Sequence, residues 1–210
     1  MRRQHRGRPA GFSLIEALVA VGVLGILLAL VGPSFKDYLL VQRLKSINAQ
    51  LVTDMNFARS EAVTRNNFAR VVFQDDPAKP QTCYTIFVNP PGLGPGYRCN
   101  CDLGPGAACP SPPSGPSGIE IRTVQVPRSS GITITAPGNS SPGTNPWPAV
   151  GFSNLHGGLL SIPTDLSASA APPFNIEVAA SPALLLRTVL GRNGRPTVCS
   201  VGNNLGAQAC

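Results

Sequence analysis

The sequence predicts an α+β protein: one long N-terminal helix, with an antiparallel β-sheet packed on its second half. Three observations predict it. Residues 12–31 form a nearly unbroken apolar run, residues 34–66 contain neither Gly nor Pro, and everything after residue 67 breaks into short β-branched runs separated by turns. Length agrees, since 210 residues give one domain and a long element beside it.

The first eleven residues, MRRQHRGRPAG, carry Arg2, Arg3, Arg6 and Arg8 and no acid. The net charge of +7 is mostly theirs; without them 13 basic residues face 10 acidic ones. A high isoelectric point of this origin is weak support for nucleic-acid binding by the whole chain. Residues 12–31, FSLIEALVAVGVLGILLALV, are apolar apart from Ser13 and Glu16. Twenty residues make a helix of about 30 Å, enough to cross a bilayer. Four arginines before the run keep the N-terminus cytoplasmic and send the rest across.

Pro33 follows, but the helical pattern continues. Leu40, Leu44, Ile47, Leu51, Met55, Ala58 and Ala62 recur every three or four residues, the apolar face of an amphipathic helix. One helix is therefore expected from Phe12 to Asn66, kinked near Pro33. Nine strands are expected beyond it: 70–73, 83–88, 119–126, 132–135, 149–152, 159–162, 174–179, 184–190 and 197–201. Between them, residues 89–118 form an insertion in which 15 of 30 residues are Gly or Pro. Such a segment builds no core of its own, so disulfides would have to order it.

The cysteines are placed for that. Cys83, Cys99, Cys101, Cys109, Cys199 and Cys210 all lie in the β-rich part. Two histidines and no C-x-x-C argue against zinc. An even cysteine count in a Gly/Pro-rich region fits disulfides in an oxidising compartment. Six cysteines allow 15 pairings. Cys199–Cys210 is the favoured bridge because it would pin a polar tail, with Cys99, Cys101 and Cys109 pairing among themselves or with Cys83.

The junction RPAG–FSLIEALVAVGVLGILLALVGPSF resembles the signal of type IV prepilins and pseudopilins. An ordinary secretory signal is cut after its apolar run, whereas here the small residue precedes it and the run survives. The resemblance implies cleavage between Gly11 and Phe12 by a prepilin peptidase, methylation of Phe12, and a type IV pilin-like fold. Glu16 matches that family's acid at the fifth mature position and Pro33 its helix-kinking proline. A carboxylate inside an apolar span costs about 2.5–3.5 kcal/mol, so Glu16 is a functional candidate by default. In a filament the resemblance pairs it with a neighbour's N-terminal amine. FARSEAVTRN (57–66) looks like the signature near the helix end in the GspH/FimT group, and GFSNLHGG (151–158) is loosely similar to a strand–turn segment there. Read from residues alone, Glu61 and Arg65 are an i,i+4 pair on a solvated face.

The domain plan is thus a cleaved leader (1–11), a transmembrane half-helix (12–31), an amphipathic half-helix (32–66) and a periplasmic β domain (67–210). The function it implies is structural: a minor pilin or pseudopilin of a type IV pilus or type II secretion pseudopilus. Its partners would be other pilins, the prepilin peptidase and the inner-membrane assembly platform. No cofactor or metal is expected. G-x-S-x-G, H-E-x-x-H and a phosphate-binding Gly loop are all missing, and His156 beside two glycines reads as a turn residue.

An alternative reading takes DNA as a partner. LLLRTVLGRNGRPTVCSV (184–201) reads as strand–turn–strand, with Asn193-Gly194 a tight-turn signal. Arg192 and Arg195 would stand on the tip and Arg187 on the preceding strand, with no carboxylate after Glu177. Spaced arginines suit phosphate contact. Some DNA-uptake members of the resembling group carry Gly-Arg-x-Arg near the C-terminus; Gly-Arg-Asn-Gly-Arg is one residue longer.

Overall fold

The computed structural model describes residues 12–88, 99–111, 118–137, 147–160, 173–202 and 205–210, with no side-chain description at 28–34. The leader with Gly11, the side chain of Pro33, residues 89–98 and 112–117 of the insertion, and residues 161–162 of an expected strand lie outside it. The chain divides into two compact units, residues 1–39 and 40–210.

Helix α1 runs from Leu14 to Thr64, position 33 included. It opens where the Ser13 hydroxyl oxygen accepts the Glu16 N–H (3.4 Å), the spacing of a capping box. It closes where Asn66 takes a left-handed φ of 49° and the Asn67 N–H returns to the Ala62 carbonyl (3.0 Å). Asparagine tolerates that conformation, which satisfies otherwise orphaned helix carbonyls.

Among the described residues of the larger unit ten strands follow: β1 (Ala69–Gln74), β2 (Gln81–Val88), β3 (Ile119–Pro127), β4 (Thr133–Thr135), β5 (Ala149–Phe152), β6 (Leu159–Leu160), β7 (Phe174–Ser181), β8 (Leu184–Leu190), β9 (Pro196–Gly202) and β10 (Gln208–Ala209). The expected single sheet is in fact two. Sheet A has the order β3-β2-β1-β5-β6 and sheet B the order β10-β9-β8-β7-β4. Pairing is antiparallel except that β10, which no sequence signal announced, lies parallel to β9. Two residues are too few for alternation to register.

The main core is the helix stripe read from the sequence. Leu44, Leu51, Met55, Ala58 and Ala62 are fully buried against Val71, Phe73, Tyr84 and Ile86 of sheet A and Ile134, Ile176, Val178 and Leu190 of sheet B. Phe73 joins the sheets, with ring centroids 5.7 Å from Tyr84 and 6.0 Å from Phe174. A second, smaller cluster of Val72, Phe87, Cys99, Ala108 and Ala149 lies on the other face of sheet A. There the described part of the insertion, 99–111, acts as a cover. A short 3-10 turn (Cys101–Leu103) starts at Asn100, whose side chain accepts the Asp102 N–H at 3.0 Å. The bridges Cys83–Cys101 and Cys99–Cys109 tie the cover to β2 and to itself; Cys199–Cys210 ties the tail to β9.

The cover is also sewn down by polar contacts. Glu120 on β3 accepts the N–H groups of Gly106 (2.8 Å) and Ala108 (3.0 Å) and the Thr123 hydroxyl (2.7 Å). Gln125 donates to the Cys101 carbonyl at 2.7 Å, and Gln74 accepts the Cys101 N–H at 2.8 Å. Backbone groups of a Gly/Pro-rich loop thereby find partners that secondary structure does not supply.

Candidate functional sites

Two places in the chain have chemistry to offer. The first is the N-terminal segment. Every residue from 12 to 27 is exposed, Phe12 at 85% and Leu14 at 80%. Ile15, Leu18, Val19, Leu24 and Ile26 are each more than half exposed. An apolar helix surface left open by the described residues is the property of a segment that meets lipid or other subunits. Glu16 sits in the first turn of α1, where the helix dipole favours an acid. Among the described residues no helix is long and apolar enough to cross a membrane; the side chains at 28–34, inside the apolar run, are not described.

The second place is the C-terminal end of α1. Three segments that the sequence singled out separately meet there. Arg59, from the 57–66 segment, donates through Nε to the Gly157 carbonyl (3.0 Å) and through Nη2 to the His156 carbonyl (3.4 Å). Asn154 donates to the Asn66 side chain at 3.0 Å. The 151–158 turn in turn carries the hairpin: the Leu159 N–H donates to the Arg192 carbonyl (3.0 Å). Two glycines make the approach possible. Gly157 has φ +65°, and a Cβ there would lie 2.6 Å from Arg59 Cγ; Gly194 has φ +72°, and a Cβ there would lie 2.3 Å from the Gly157 carbonyl oxygen. A side chain at either position would be strained by the positive φ, and at Gly194 it would also run into backbone. Glu61 and Arg65 form the expected i,i+4 pair at 2.6 Å.

The hairpin arginines divide. Arg192 and Arg195 are exposed on either side of the turn, which closes by the Gly194 N–H to Gly191 carbonyl bond (2.9 Å). Arg187 does not join them. It stands mid-strand in β8, opposite Glu177, and donates to Glu177 Oε1 through Nε (2.9 Å) and Nη2 (2.7 Å). Sequence counting found no acid after residue 177, but strand register returns that residue to Arg187. His156 is exposed in the turn after β5.

A buried acid escaped the sequence reading. Asp54 is fully buried on α1. Its Oδ2 accepts the Tyr84 hydroxyl (2.6 Å), and its Oδ1 lies 2.9 Å from Arg122 Nη1. Burial pushes its pKa above the ordinary 3.8, opposed by the Tyr84 hydrogen bond and the Arg122 charge. Burial and the neighbouring carboxylate push the Tyr84 hydroxyl far up. The signal was available: an acid between Leu51 and Met55, inside the apolar stripe.

Comparison with known protein families adds two matches. Residues 6–32 match the family model described as the prokaryotic N-terminal methylation motif. Residues 48–179, more than half of the chain, match the one described as type II transport protein GspH. No curated protein and no solved structure matches the chain.

Proposed function

The chain belongs to the type II transport protein GspH family and carries the prepilin methylation motif, which makes it a membrane-anchored, pilin-like minor subunit; on that premise we propose that it is built into a filament through residues 12–39. The observation that carries this reading is the contrast along α1. Leu44, Leu51 and Met55 are fully buried in the chain's own core, while the apolar side chains of 12–27 are exposed among the described residues. In this reading residues 12–31 span the inner membrane after the peptidase cuts between Gly11 and Phe12 and Phe12 is methylated. The β domain faces the periplasm and the assembly platform takes up the helix. Glu16 then meets the amine of a neighbouring subunit's N-terminus, since an intramembrane acid needs a partner. Pro33 supplies the kink.

The intact mass of protein extracted from membranes tests the processing step: loss of eleven residues and gain of one methyl are expected. A mature N-terminus beyond residue 30 overturns it. Glu16→Ala should leave insertion and cleavage unchanged and reduce recovery in sheared filaments; undiminished recovery overturns the proposed pairing.

A second reading, contact with DNA, rests on Arg192 and Arg195, which are exposed and sit on a turn braced by the Gly194–Gly157 contact. With Arg187 engaged by Glu177, two phosphates per subunit is the expectation, a log–log salt slope of about 2. Useful capture then needs several copies on one filament. A gel shift at low salt that disappears in the Arg192→Gln/Arg195→Gln variant supports it; an unchanged shift removes it.

A further inference from the structure

The last six residues hold an unusual position. Leu205 is buried in the main core, and Ala207 packs against that core. Gln208 and Ala209 then lie parallel to β9, opposite Cys199 and Ser200. The Cys210 N–H donates to the Ser200 carbonyl (3.1 Å), the Ser200 hydroxyl donates to the Ala207 carbonyl (3.3 Å), and the Cys199–Cys210 bridge closes the circuit. A two-residue ladder makes few bonds against the entropy of ordering six residues, so the bridge is what keeps the tail in place.

What lies under the tail matters more. β9 reads PTVCSVG and contains no charged residue. Sheets that end on an open strand normally protect it with charges, and an uncharged edge is a template for another strand. The tail also forms one wall of a groove of about 540 Å³: Leu205, Gly206 and Ala207 line it together with Ala49 and Val52 of α1 and Leu186 and Val198 of sheet B.

We propose that the β9 edge and the core seat of Leu205 form a strand-acceptor site, occupied by the chain's own residues 205–210 and able to take the same segment from a second copy. The Cys199–Cys210 bridge decides between the two. The occupant follows from the seating: a neighbour's tail can place its Leu205 in the core, its 208–209 along β9 and its Cys210 on the Ser200 carbonyl, with identical contacts. Exchange of an identical element is a low-cost route between monomer and dimer. Closing the bridge within one chain turns two thiols into a disulfide. The two electrons and two protons pass to a disulfide of a thiol-oxidising partner, which becomes a dithiol. The latch therefore sets only after export, and before it sets the site is open.

The test uses full-length chains in detergent. The Cys199→Ser chain keeps Cys210 and the Cys210→Ser chain keeps Cys199. Mixed under oxidising conditions, they should form a dimer whose non-reducing peptide map shows an inter-chain Cys199–Cys210 bridge, while wild type stays monomeric. Adding Leu205→Asp to the Cys199→Ser chain should abolish it, because the tail then has no plug. A mixture that stays monomeric, or a dimer that ignores Leu205→Asp, overturns the proposal. In parallel, a chain ending at Gly202 should bind a synthetic 203–210 peptide saturably and reject the same peptide with Leu205→Asp. Absence of binding overturns the acceptor site. So does loss of the folded circular-dichroism signal in the shortened chain, which would make the tail part of the fold and not its occupant.

Discussion

Sheets A and B are built from similar short β-branched runs, yet they bury their residues differently. In sheet A, β1 is buried at all six positions and β2 at seven of eight. In sheet B, β7 and β8 alternate, one residue in the core and the next half-buried. Alternation is the ordinary condition of an antiparallel sheet with one wet face. The difference is not in the strands but in what lies over them: residues 99–111 cover the outer face of sheet A, and nothing comparable covers sheet B among the described residues. A loop too rich in Gly and Pro to form a core can still complete one, provided disulfides and a receiving carboxylate hold it. Phe87→Ala tests the contrast most severely, because it empties the centre of the covered face. It should cost about 3–5 kcal/mol. Val189→Ala, on the half-buried face of β8, should cost about 1 kcal/mol or less. Urea unfolding of both variants measures the contrast, and equal costs would mean that the cover does not seal.

Loss of the cover's anchor ranks next. Replacing Cys83 and Cys101 together by Ala should remove about 2–4 kcal/mol and lower the melting temperature, because the bridge holds the loop onto β2. Hydrogen exchange at β1 and β2 should accelerate selectively, with β7 and β8 unchanged. Uniform acceleration would show that the two faces do not differ in what protects them.

Much of this was legible in the sequence, for physical reasons that differ by region. The helix stripe from Leu40 to Ala62 announces itself by period and nine of the ten described strands by β-branched runs between turns, because these residues bury a face against a core. The division into two sheets does not, since register and sheet membership are set by contacts distant in sequence; Glu177 opposite Arg187 is the plainest case. The use of the 99–111 segment was equally hidden. Its composition forecasts a loop that disulfides must order, but not its seat on sheet A, which the Cys83–Cys101 bridge and the partnership of Glu120 with two of its amides supply. At the end of α1, residues 57–66, 151–158 and 191–195 each carried a local signal, but their meeting through Arg59, Gly157 and Gly194 had none.

The helix is tied to the two sheets by different polar contacts, and pH separates them. Toward sheet B, the Thr188 hydroxyl donates to Asn48 at 3.0 Å, a neutral pair. Toward sheet A the tie is Asp54 with Tyr84 and Arg122. Because burial raises the Asp54 pKa above 3.8, its protonated form favours the folded state. That contribution is complete below pH 3.8 and is lost as pH rises through the raised value. Asp54→Asn keeps an acceptor for Tyr84 and removes the titration. The stability difference between the Asp54→Asn variant and the native chain should therefore shift in favour of the variant as pH rises, ending within about 1–2 kcal/mol at neutrality because the Arg122 attraction is also lost. A difference independent of pH, from unfolding curves at acid and neutral pH, would show that Asp54 does not titrate in this range.

The weakest response should come from the uncovered face of sheet B. Arg187 and Glu177 form a two-bond pair there, with the side chains 34% and 15% exposed. Partial solvent access screens such a pair, so Arg187→Met should cost about 1 kcal/mol or less, part of it the isolation of Glu177. The substitution also separates two roles for the hairpin region. If Arg187 serves only its sheet, low-salt DNA binding and its salt slope should be the same in Arg187→Met as in the native chain. If it contributes a phosphate contact, the slope should fall by about 0.9. A fall of that size would mean that Glu177 releases Arg187 when DNA is present. The outer face of sheet B, which no described segment covers, would then be a binding surface, a role that the covered face of sheet A does not share.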